Sequence, residues 1–448
     1  MAARVSRLFA GTAFVGAGTA AAASIAALAN GHSSPSLVLS NFDDTLRPAV
    51  AALLPAEAFV CLYSAARTPF LQALSIESEA EQAGSAPAQT TARTSNLRAL
   101  GLSFRNDLGN AAGLDKDGSL LDFNYSLGAG FTVVGTVLSE SHTGNLFSFF
   151  GGLWSGNVWT PLPKSGATLN SLGLPSKGVD AALENIAAFR ERHGMPAQCA
   201  RDRRKRAATN GAEAGRTSAD FPIGVSIMGH PAHGDDPAKK LEGVLYCVRR
   251  SLPLADFIEI NESCPNVHHS NVRHGGGGGA ANDQLATRLK AVVAVRDAAA
   301  KEDPAGRRVP ILVKLGDLGE PKATIKFLAR LGVDGVVALN TQKDYEAFDL
   351  PAADKALLQH YTARFGGGLS GPPILDRSTA QVTAAQAAVH ALGLDGAFTV
   401  IHVGGIQSVA DMQRSRATGA ELRQWYTGLM HGIAQPDPYS LYKRLTAR

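Results

Sequence analysis

From residue 98 to the C-terminus, short runs dense in Val, Ile, Leu and Phe alternate with longer stretches whose apolar positions recur at helical spacing. The short runs predict strands at Leu108–Ala112, Phe131–Thr136, Ile223–Ile227, Phe257–Asn261, Val309–Lys314, Gly335–Asn340, Phe398–Val403 and Glu421–Tyr426. Helical periodicity fills the gaps, most clearly at Val179–Arg192, Pro237–Arg250, Asn282–Lys301, Ala323–Leu331 and Ala380–Leu392. Eight strands, each followed by a helix, predict an α/β fold of the (β/α)8 barrel type. An open doubly wound sheet uses the same units but requires no such count.

The first residues break this pattern. Arg4 and Arg7 precede an Ala/Gly-rich apolar run, Leu8–Ala29, and the first acidic residue is Asp43. Residues 1–30 therefore read as a mitochondrial targeting segment and transmembrane anchor, with a removed secretory signal or an anchor in another membrane as the alternatives. Residues 41–75 read as two short amphipathic helices divided near Pro55. Leu46, Val50, Leu53 and Leu54 share one face; Phe59, Leu62 and Tyr63 share the next. They either cap a domain or rest in a membrane surface. Residues 76–97, rich in Ser, Thr, Ala and Gln, form a linker, and residues 98–448 form the barrel.

Composition narrows the function classes. The 448-residue chain is 45% hydrophobic and 18% charged, with a net charge of +4, so bulk attraction to nucleic acid is not implied. Four cysteines, Cys61, Cys199, Cys247 and Cys264, form no CxxC pair, which argues against a disulfide scaffold, a zinc ribbon or a self-contained iron–sulfur cluster. No metal site is expected, and a redox cofactor should be organic. The basic stretch 199–220 carries Arg201, Arg203, Arg204, Lys205 and Arg206 with no interleaved aromatic, the pattern of a solvated insertion rather than a nucleic-acid contact.

In a barrel, the C-terminal strand ends face one pocket. The first strand leads into AAGLDKDG, with Lys116 just past a small-residue turn. The fourth ends in Asn261, with Cys264 and Asn266 close behind; the fifth ends in Lys314 and the sixth in Asn340–Thr341. Two glycine-rich turns, Gly366–Gly371 and His402–Ile406, follow the later strands, the second opening a helix at Gln407–Ser408. Such turns bind phosphate through backbone N–H groups. Lysines and asparagines at the other ends suit a planar ligand rich in carbonyl and ring N–H groups. A phosphate joined to a planar heterocycle points to flavin mononucleotide with a small polar substrate stacked on it.

These segments resemble the dihydroorotate dehydrogenases. The resemblance runs from about Asn41 to the C-terminus. It rests on the AAGLDK turn, NSLGLP at Asn170–Pro175, NESCPN, VKLGDL at Val313–Leu318, LNT at Leu339–Thr341, GGLSG, VGGI and YTG, in that order. It implies FMN binding through Ala112, Gly113, Lys116, Thr136, Asn261, Lys314, Gly371, Gly405, Tyr426 and Thr427. It implies substrate contacts from Lys116, Asn170, Ser171, Leu172, Gly173, Leu174, Asn261, Asn266, Asn340 and Thr341, with Cys264 as the general base. Oxidising dihydroorotate to orotate, a step of de novo UMP synthesis, removes a proton from one ring carbon and a hydride from its neighbour. A positioned thiolate can take the proton.

The family has two branches, and this chain resembles both. Its N-terminal layout looks like the membrane-bound, quinone-reducing class; NESCPNV and NSLGLP look like the soluble class, which has cysteine as base. The segment Asn145–Trp159 has no arginine, and Ala51 and Phe59 stand where polar side chains line the quinone tunnel of the membrane-bound class. The expectation is a quinone-reducing enzyme of the mitochondrial inner membrane. A soluble acceptor such as fumarate, or a non-catalytic barrel, are the alternatives. Glu262 departs from the usual apolar neighbour of the base, and strand alternation points it away from the pocket. Five glycines, Gly275–Gly279, read either as a mobile lid or as a padded linker.

Overall fold

The computed structural model describes residues 97–145, 147–149, 154–156, 159–162, 164–196, 221–234, 236–262, 280–304, 306–433 and 440–447. The anchor, the helical pair, the basic insertion, the Gly275–Gly279 run, Cys264 and Asn266 all lie outside the described residues. No helix among the described residues is long and apolar enough to cross a membrane.

The described chain opens on an antiparallel hairpin, β1 (Leu97–Ala99) and β2 (Leu102–Phe104). The eight barrel strands follow. They are β3 (Leu108–Asn110), β4 (Thr132–Val137), β9 (Ile223–Ile227), β10 (Phe257–Asn261), β11 (Ile311–Leu315), β12 (Gly335–Ala338), β14 (Thr399–Val403) and β15 (Leu422–Trp425). Neighbours pair in parallel in the order β3, β15, β14, β12, β11, β10, β9, β4. β3 and β4 then meet to close the ring. The Gly113 N–H donates to the Gly135 carbonyl at 2.6 Å, and the Gly135 N–H to the Asp115 carbonyl at 2.8 Å. The Asn110 side chain bridges the same seam, donating to the Val133 carbonyl (2.9 Å) and accepting from the Thr132 hydroxyl (2.6 Å). The architecture is a (β/α)8 barrel.

Each predicted strand is present: Ile223–Ile227 and Phe257–Asn261 have the expected bounds, and the other six are shifted or trimmed by a few residues. Asn340 lies past the end of β12, which stops at Ala338. Helices α1 (Leu121–Ser126), α2 (Val179–Arg192), α3 (Pro237–Ser251), α4 (Ala280–Glu302) and α5 (Pro321–Arg330) surround the first half of the barrel. Helices α6 (Ala352–Phe365), α7 (Leu375–Ala391), α8 (Val409–Ala417), α9 (Thr427–Ile433) and α10 (Leu441–Thr446) surround the second. α2 shows why the periodicity was legible: Val179, Ala182, Leu183, Ile186 and Phe189 are all buried on one stripe. α3 starts cleanly because the Asp236 carboxyl accepts from the Ala238 and Lys239 N–H groups, with Pro237 at the first helical position.

Side-chain alternation splits the strands into two cores. Outward residues, such as Ile258, Ile260, Ile311 and Val313, pack under the helices. Inward residues, including Phe131, Phe257, Leu312, Val337 and Ile401, join Leu102 and Phe104 of the hairpin. The hairpin therefore plugs the N-terminal end of the barrel, leaving the other end for the site.

Two smaller features were not predicted. β7 (Trp159–Leu162), β8 (Ala167–Asn170) and β13 (Gly368–Ser370) form an antiparallel sheet beside the barrel mouth, so part of the Gly366–Gly371 turn is a strand. β5 (Phe147–Phe149) and β6 (Trp154–Gly156) form a separate two-stranded ribbon.

Candidate active site

The C-terminal strand ends enclose one cleft of about 950 Å³, counted out to its solvent mouth. Each described residue expected to bind cofactor lines it: Ala112, Gly113 and Lys116 after β3, Thr136 on β4, Asn261 on β10 and Lys314 on β11. Gly371, Gly405, Tyr426 and Thr427 complete that set. Of the expected substrate residues, Asn170, Leu172, Gly173, Leu174, Asn340 and Thr341 also face the cleft. Ser171 does not line it. It is buried beneath the loop, where its carbonyl accepts from the Asn145 amide at 2.8 Å. Asn145 thus pins the loop over the mouth, a role that its sequence position gave no reason to expect.

The amide and ammonium groups gather at one end. Asn261 and Lys314 are register partners on adjacent strands, so their side chains emerge together. The Asn261 amide is set by a directed chain beneath it. Its N–H donates to the Thr136 hydroxyl (3.0 Å), which donates to Ser226 (3.1 Å), which donates to the fully buried Glu259 carboxyl (2.9 Å). Gln424 Nε2 donates to the other Glu259 oxygen at 3.1 Å. Glu259 was missed in the sequence, although it shares the inward parity of Asn261 two residues on. Glu262 has the opposite parity and, as expected, turns away. It accepts both bonds of a bidentate pair from Arg288 on α4, each 2.6 Å.

The other end is built from glycines and hydroxyls. Gly371, Gly404, Gly405 and Gly428 all line the cleft. At Gly405 (φ +84°) a Cβ would lie 2.5 Å from the Leu375 Cβ and 2.8 Å from its backbone nitrogen. Among the described residues, nothing accepts from the Gly405 N–H. Thr427 is fixed by hydroxyl contacts to Thr168 (2.9 Å) and Ser370 (3.0 Å). The Ser408 side chain caps α8 at the Asp411 N–H, so the second glycine turn does open a helix. Between the two ends, the Thr341 hydroxyl is buried with no protein partner among the described residues, a group left for a ligand to satisfy. Free backbone donors at one end, with lysines and amides at the other, fit a phosphorylated planar heterocycle.

Asp115, in the turn that carries Lys116, is buried and accepts from the Gly118 and Leu120 N–H groups. Burial, reinforced by Asp117, pushes its pKa up to about 7. A raised carboxyl favours the folded state while protonated, so its contribution is full below the unfolded value near 4 and is lost as pH rises through about 7. The expected result is a Cγ carbon resonance of Asp115 that titrates near neutrality. A midpoint in the ordinary carboxyl range would contradict this account.

A family model for dihydroorotate dehydrogenase matches residues 95–437. The chain belongs to the dihydroorotate dehydrogenase family. Enzymes of Burkholderia pseudomallei and Burkholderia mallei named dihydroorotate dehydrogenase (quinone) are 33% identical to it over 341 residues. Those matches cover 74% of this chain and 79–80% of the relatives. DHODH from Eimeria tenella in complex with ferulenol aligns with a TM-score of 0.58 at 22% identity, covering 84% of this chain and 89% of that one, and shows the shared fold. The chain is therefore an oxidoreductase, a dihydroorotate dehydrogenase.

Proposed function

We propose that this dihydroorotate dehydrogenase uses FMN to oxidise dihydroorotate to orotate in de novo UMP synthesis and passes the electrons to a quinone. The observation that carries the reading is convergence: residues scattered from Ala112 to Thr427 line one cleft. Gly371, Gly405 and Thr427 would hold the phosphate, while Lys116, Thr136, Asn261 and Lys314 would hold the ring. Bound FMN supplies the two-electron acceptor. Asn170, Asn340 and Thr341 orient the pyrimidine ring, and the Lys116 ammonium, beside the Gly113 turn, offsets negative charge developing on a carbonyl. Cys264, three residues past Asn261, takes the proton.

Support for quinone comes from the relatives' names and from the apolar N-terminal layout. Residues 1–30 would carry the enzyme to the mitochondrial inner membrane, on the strength of their basic, acid-free start. Stopped-flow mixing of the flavin-loaded protein with dihydroorotate should bleach the flavin absorbance, and a quinone should restore it. Reoxidation by fumarate but not by quinone would replace the acceptor. No bleaching at all would leave a barrel that binds without turning over.

A further inference from the structure

Beneath the glycine cradle lies a buried polar chain that the reaction does not use. His402, on β14, is fully buried. Its Nδ1 lies 2.7 Å from Ser415 Oγ, and its Nε2 lies 2.9 Å from Ser378 Oγ. Arg423 Nε donates to Ser415 Oγ at 3.1 Å, so the Ser415 hydroxyl turns its own proton to His402 Nδ1. That leaves the imidazole proton on Nε2, donated to Ser378. The Ser378 hydroxyl in turn reaches the Gly404 carbonyl at 2.8 Å and the Leu375 carbonyl at 2.9 Å. At the far end, Arg423 is anchored by Asp107 (3.1 Å), which also holds Arg416 (2.8 Å).

The donors in this chain run from the Arg423 cation to Ser378, whose single hydroxyl proton is shared between the Gly404 and Leu375 carbonyls. Aligned hydrogen bonds polarise one another. The Gly404 carbonyl shares its peptide unit with the N–H of Gly405, a residue that lines the cleft and whose N–H has no protein acceptor among the described residues. Drawing electron density onto that oxygen makes the N–H a stronger donor to an anion, and fixing the carbonyl fixes the direction of the N–H.

We propose that His402 is a positioning residue for the phosphate end of the cofactor site, acting through Ser378 on the Gly404–Gly405 peptide. This rests on the flavin reading above. The neutrality that the chain requires is secured by its surroundings: burial, then Arg423, drive the imidazole pKa down to about 3. Imidazole is suited to the place because it accepts on one nitrogen and donates from the other. Among common side chains, a carboxamide can do the same over a similar span.

The test is titration of flavin-free protein with FMN and, separately, with riboflavin, which lacks the phosphate, followed by fluorescence quenching. His402→Leu should weaken FMN roughly tenfold, the size of one charge-assisted hydrogen bond, and leave riboflavin unchanged. His402→Gln should restore most of the loss. Ser378→Ala, which removes one oxygen, should reproduce the phosphate-specific loss and carries the test where the leucine variant fails to fold. Equal weakening of both ligands, or undiminished FMN affinity, would overturn the proposal. Wild-type protein that binds neither ligand would overturn the flavin reading itself, and this proposal with it.

Discussion

Cys264→Ala should leave the flavin bound and nearly abolish its reduction by dihydroorotate. Cys264 is not among the residues expected to hold the cofactor, and all of the described ones except Asn261 lie on other strand ends, so the bound absorbance spectrum should not change. What the variant lacks is an acceptor for a weakly acidic carbon-bound proton. Removal of a positioned general base lowers rates on the order of 10²–10⁴-fold. Single-turnover stopped flow reads this directly, because flavin reduction is followed without any acceptor present. Cys264→Ser should recover part of the rate with its pH limb moved upward, since a hydroxyl surrenders its proton less readily than a thiol with a free pKa of about 8.5. Reduction of the alanine variant at the wild-type rate would remove Cys264 from the mechanism.

The second large effect is expected at Gly405. A methyl there would meet the first residue of α7, and the nearest atoms are the Leu375 Cβ, Cα and backbone nitrogen, 2.5–2.8 Å away. None of these can rotate aside as the end of a flexible side chain could. The backbone also sits at φ +84°, a region that costs an alanine about 1–2 kcal/mol. With about 1–3 kcal/mol for forced overpacking, Gly405→Ala should lose roughly 2–5 kcal/mol of stability. Any relaxation that relieves the clash opens the turn and turns the N–H away from the cleft. The purified variant should therefore contain little flavin, as read by the ratio of flavin to protein absorbance. Full flavin content at wild-type urea stability would show that the turn is not the cradle described.

Much of this was legible in the sequence, and for a physical reason. A strand buried on both faces must be largely apolar, so Ile311–Leu315 and Thr399–Val403 stand out against their surroundings despite Lys314, Thr399 and His402. Residues at the C-terminal ends of such strands must share one mouth, so the sequence alone brings Asn261, Lys314 and Tyr426 together. The misses follow from the same logic. β8 and β13 are short, pair at long range and carry no alternation to announce them. Ser171 belongs to a matching motif, yet its neighbours Leu172 and Gly173 face the cleft while it turns under toward Asn145. His402 and Glu259 sit inside apolar runs, where a polar residue has meaning only once its partners are known.

The middle layer of this barrel is held by hydrogen bonds of fixed direction among Thr136, Ser226, Glu259 and Gln424. An apolar layer tolerates one exchange at a time, because volume lost by one side chain can be regained by its neighbours. A layer of matched donors and acceptors does not: exchanging one member strands the next without a partner. These four positions are therefore bound to drift as a block through evolutionary time, and a homologue that lacks the carboxyl should lack its two donors as well.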